Sequence, residues 1–93
     1  MANEKVCISS DIIENVKAME DRAVLTQIQA FGDYLSGKFN DFQYQAICQS
    51  MDSVIAECRN ILLAVSDNNT IDKTFIPKAE KIAHAMTALA KVA

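Results

Sequence analysis

One histidine, three cysteines and twelve carboxylates are the residues of this 93-residue chain whose types could do chemistry. His84 could move a proton near neutral pH or accept a transferred group, and a thiolate at Cys7, Cys48 or Cys58 could act as a nucleophile or metal ligand. Their spacing does not support a site. No His or Cys lies three or four residues from another, which removes the common helical metal-ligand spacings, and no Glu-x-x-His pair of the helical-bundle type occurs. Glu20 and Asp21 are adjacent but diverge on a helix, so they do not form a positioned acid–base pair. Ser and Cys nucleophiles lack a local signature. The expectation is a protein that is not an enzyme, with no cofactor and no metal.

The three cysteines, odd in number and without a short paired spacing, argue against a disulfide framework. Cys48 and Cys58 fall in or beside an apolar stripe and read as small buried hydrophobes. A net charge of −3 is too mild for a nucleic-acid mimic and has the wrong sign for a phosphate-coating protein, so nucleic acid is excluded as an expected partner. Residues 1 to 69 carry ten Asp/Glu against five Lys/Arg, whereas residues 70 to 93 carry two against four, a polarity suited to docking the last segment on the rest. No run has the length of a signal peptide or membrane span, and the chain is expected to stay in the cytoplasm without membrane contact.

With 51% apolar residues, 2 Gly and 1 Pro, the chain has an ordinary globular composition and few places to turn, which predicts one domain of few, long elements. Residues 1–9 read as a flexible N-terminus. Ser9, Ser10 or Asp11 can cap a first helix over about residues 10–36, with Gly37 as its stop. Ile12, Val16, Met19 and Ala23 form one apolar track on it, and Val24, Ile28, Phe31 and Leu35 a second, rotated by about 120°. With no Gly or Pro near residues 20–22 the helix is expected to be continuous; a break there would give a four-helix bundle.

A second helix over about 41–66, capped by Asn40 or Asp41 with Gln43 bonding back, carries the broad stripe Tyr44, Ile47, Met51, Val54, Cys58, Ile61 and Val65. The polar run Ser66 to Thr70 reads as a loop. Thr74 then caps a third helix over about 74–92, with Pro77 in its first turn and Phe75, Ala79, Ile82, Met86 and Leu89 on one face. Short connections between long amphipathic helices predict an all-α, antiparallel up-down-up three-helix bundle.

The string Ile82-Ala83-His84-Ala85-Met86-Thr87-Ala88-Leu89 resembles the phosphoacceptor helix of histidine-containing phosphotransfer domains, which are helical bundles with an exposed reactive histidine. The resemblance covers one helix and implies a phosphorelay role for His84. Where that family has Lys three residues and Gly four residues after the histidine, this chain has Thr87 and Ala88.

The third helix, about 29 Å long, is too short to cover the first two, and the end it leaves bare holds Phe31, Tyr34, Phe39, Phe42 and Tyr44. Aromatic side chains bury much area at little entropic cost and concentrate in interface hot spots. Phe31 and Tyr44 lie on tracks that face the core. Tyr34, Phe39 and Phe42 are therefore the expected contacts with another protein, with Asp33 and Asp41 setting orientation or encounter rate. The expected function is a small protein-binding module of the adaptor, inhibitor, immunity or secretion-chaperone kind. The second apolar track of the first helix adds the expectation of a homodimer, and a self-assembling structural subunit is the third alternative.

Overall fold

The computed structural model describes residues 4–92. In chain order it contains strand β1 (Lys5–Cys7), helix α1 (Ser10–Leu35), helix α2 (Asp41–Ala64), strand β2 (Thr70–Asp72), a single 3₁₀ turn (Lys73–Phe75) and helix α3 (Ile76–Val92). The three helices form the antiparallel bundle expected from the sequence. α1 runs unbroken through residues 20–22, so the four-helix alternative is not what forms.

Local chemistry accounts for the boundaries. The Ser9 hydroxyl accepts from the Ile12 N–H at 3.2 Å and starts α1. At its end Gly37, at φ +85°, reverses the chain while its N–H donates to the Tyr34 carbonyl; this left-handed conformation is open to glycine at little cost. α2 begins with a complete capping box, the Gln43 N–H donating to the Asn40 side chain at 2.8 Å and the Asn40 N–H to Gln43 Oε1 at 3.0 Å. It stops at Ala64, two residues short of the expected Ser66.

Three expectations are corrected at this end of the molecule. Part of the supposed flexible tail is ordered: β1 pairs antiparallel with β2, Val6 opposite Ile71, and Ile8 behind it is buried. Thr70, expected in a loop, is already strand. The third helix is not capped by Thr74; the Asp72 carboxylate accepts from the Thr74 N–H and hydroxyl, both at 2.9 Å, and starts the 3₁₀ turn that leads into α3. A three-residue strand gives almost no periodic signal, and its partner lies more than sixty residues away in the chain.

The core gathers where strands and helix ends meet. Ile8, Val16, Cys58, Ile61, Ile71 and Ala79 form one buried cluster, with Ile12, Phe75 and Ile82 among the half-buried residues against it. Farther along α1, the buried residues are Ala23 and Ala30, which let α2 or α3 approach closely but contribute little apolar volume. The molecule is correspondingly long, 51 × 31 × 19 Å. Its radius of gyration of 15.6 Å exceeds the roughly 12 Å of a compact chain this size.

Candidate protein-binding surface

α3 lies mainly against α1 and meets α2 at few points. Leu89, near its C-terminal end, shares the walls of a cavity of about 160 Å³ with Ala23 and Thr26 of α1 and Met51 of α2. α3 ends three residues later at Val92, whereas α1 continues nine residues past Thr26 to Leu35, so the distal part of the α1–α2 hairpin extends beyond α3.

A ladder of specific contacts holds this distal half together. The Gln27 amide donates to the Cys48 carbonyl at 3.1 Å and to Asp52 Oδ1 at 2.7 Å, tying α1 to α2. The Tyr34 and Tyr44 rings stack with centroids 4.8 Å apart, and Phe31 tilts onto Tyr44 at 6.0 Å. The Tyr34 hydroxyl donates to Asp41 Oδ1 at 2.5 Å, and this bond, with the adjacent carboxylate charge, pushes the phenol above its usual value. Tyr44 is raised as well, first by its hydrogen bond with Cys48 one turn on and then by burial.

The five residues expected to contact a partner are thus divided by the structure. Tyr34 is half-buried and committed to Asp41 and Tyr44, and Asp41 is the exposed acceptor of that bond. Asp33 is half-buried, its carbonyl accepting from the Lys38 and Phe39 N–H groups and its carboxylate 3.9 Å from Lys38 Nζ. Phe39 is half-buried in the turn between the helices, and Phe42, 80% exposed, stands on the surface.

Three exposed residues were not among those candidates. Leu25, Ile28 and Leu35 are 54%, 62% and 70% exposed, and Phe31, expected to face the core, is 44% exposed. Ile28 and Leu35 belong to the second apolar track of α1. The available signal was that track itself: α2 takes one face of α1 and α3 another, so a third apolar direction on the same helix has no partner within the chain.

No family model, curated protein or solved structure matches this chain.

Among the described residues, no three His, Cys, Asp or Glu side chains are grouped to hold a metal. All three cysteines are free; Cys7 is exposed, Cys48 half-buried and Cys58 buried. Burial, followed by the charges of Glu20 and Glu57, pushes the Cys58 thiol up to about 11, which suits a core side chain and leaves little thiolate for chemistry. His84 is exposed on α3, and one turn on the Thr87 hydroxyl donates to the Ala83 carbonyl. No described helix is long and apolar enough to cross a membrane.

Proposed function

We propose that this chain is a non-enzymatic protein-binding module whose contact surface is the distal half of the α1–α2 hairpin. One observation supports the reading above the others. Of the seven large apolar side chains left exposed among the described residues, Leu25, Ile28, Phe31, Leu35 and Phe42 fall within this half, and Leu63 and Leu89 lie elsewhere. Scattered exposed apolar residues need no explanation, but a concentration of this kind on a folded monomer is a feature of interaction sites.

The division of labour follows from the packing. The β1–β2 end, with the buried cluster, is the anchor that makes the fold stable. The distal half carries its side chains on two helices locked by Gln27, Tyr34 and Tyr44, so a partner meets a rigid surface and ordering costs on binding are small. Asp41, exposed at the tip, adds a negative charge that favours a partner with a basic rim, while the Asp33 carboxylate is offset by Lys38.

The test is affinity capture with the full chain against Phe39→Ala/Phe42→Ala. The expected result is an intact helical spectrum with the partner lost. Undiminished capture by the double variant contradicts the assignment of the tip.

A further inference from the structure

The exposed face of α1 has a pattern of its own. Leu25, Ile28, Gly32 and Leu35 are spaced three, four and three residues apart, which aligns them in one narrow seam like that of a coiled coil. Gly32 is unusual there. An added Cβ at this position would meet nothing within 4 Å, so nothing inside the monomer calls for a glycine, and glycine weakens a helix interior. A notch in an otherwise apolar seam has a use when a second helix crosses it.

We infer that a second copy of this chain covers this face, pairing α1 with α1 antiparallel about a two-fold axis opposite Ala30. This deepens the protein-binding reading by naming one occupant for the side of the hairpin, and it leaves the tip free. In this register each Leu25 lies against the partner's Leu35, and each Ile28 enters the notch at the partner's Gly32. A parallel two-fold pairing instead stacks like on like, Ile28 on Ile28 with a void at Gly32. The notch selects the antiparallel arrangement.

The area is in keeping with reversible association. From their exposed fractions, Leu25, Ile28, Phe31 and Leu35 offer roughly 500 Å² per copy, or about 1,000 Å² for the pair, at the lower limit of specific interfaces. Such a dimer forms and dissociates with concentration, and its two tips point in opposite directions. The module is thereby bivalent.

The test is light scattering of the full chain under reducing conditions over roughly 10 µM to 1 mM, a range that spans weak and moderate association. The expected mass rises from 10.2 kDa toward twice that value, without larger species. Ile28→Glu, at an exposed position, is expected to stay at the single-chain mass with an unchanged helical spectrum. Gly32→Leu fills the notch and is expected to weaken association at least tenfold while raising the thermal midpoint of the monomer. A wild-type chain that stays monomeric throughout, or an Ile28→Glu variant that dimerises equally well, overturns the inference. Partner capture that is lost in Phe39→Ala/Phe42→Ala but kept in Ile28→Glu separates the tip from the dimer, so either proposal can fail alone.

Discussion

The chain has two glycines, and the same substitution at each is expected to move stability in opposite directions. Gly32 sits in the last turns of α1, exposed, with ordinary helical backbone and open space where a Cβ would stand. Alanine there gains the helix-propensity difference and reduces the freedom of the unfolded chain, about 0.5–1 kcal/mol, scaled down slightly because the helix ends at Leu35. For a domain of this size that is a rise in Tm of roughly 3–6 °C. Gly37 has equally open surroundings, but its φ of +85° is left-handed. Alanine at that position costs about 1–2 kcal/mol, a fall of roughly 5–10 °C. Thermal melts followed by helical ellipticity at low micromolar concentration, where self-association does not contribute, measure both. Two shifts of the same sign, or a loss for Gly32→Ala, refute the reasoning, since either requires the backbone or surroundings of these residues to differ from those described.

Ile8→Ala is expected to cost about 3 kcal/mol in urea unfolding, because the side chain is buried in the central cluster; a change below 0.5 kcal/mol, roughly that of an ordinary surface site, means β1 is not part of the cooperative fold. Above about pH 8.5 the unfolded chain sheds the Cys58 proton while the folded chain keeps it up to about 11, so native protein binds more protons and stability falls over that window. Denaturant midpoints at pH 8 and pH 10.5 are expected to differ less in Cys58→Ala than in wild type, and an equal difference rejects burial of the thiol as a cause. Phe42→Ala is expected to leave the melting temperature within about 2 °C of wild type, as befits an exposed surface position; a larger fall means that the ring packs within the chain.

The bundle was legible because its evidence is repeated many times over. Asn40 with Gln43, Ser9 before Ile12, and the stripe from Tyr44 to Val65 each pointed to the same helices by independent chemistry. The strands were not legible, because Lys5 to Cys7 and Thr70 to Asp72 are three-residue segments whose pairing is set by the core around Ile8 and Ile71. The bare end of the hairpin followed from helix lengths alone. Which of its side chains stand outward did not: Tyr34 is drawn inward by the Asp41 carboxylate and the Tyr44 ring, a contact between two helices that a single-helix pattern does not contain. Leu25 was passed over for the reverse reason, since it lies beside a track without belonging to it and only the positions of α2 and α3 reveal that its face is bare.

The account turns on the distal half of the hairpin as the contact surface, and the most direct measurement compares exposed apolar residues at the two ends. Phe39→Ala/Phe42→Ala alters the tip of the distal half; Leu63→Ala alters an 84% exposed leucine at the far end of α2, beside the core. Each is used to capture partner protein from the source cell extract, and the amounts retained are compared with wild type by quantitative mass spectrometry. The account predicts that Leu63→Ala retains the wild-type partner in full and that Phe39→Ala/Phe42→Ala loses it by tenfold or more, about 1.4 kcal/mol. Equal retention by the distal variant, or a loss confined to Leu63→Ala, contradicts it.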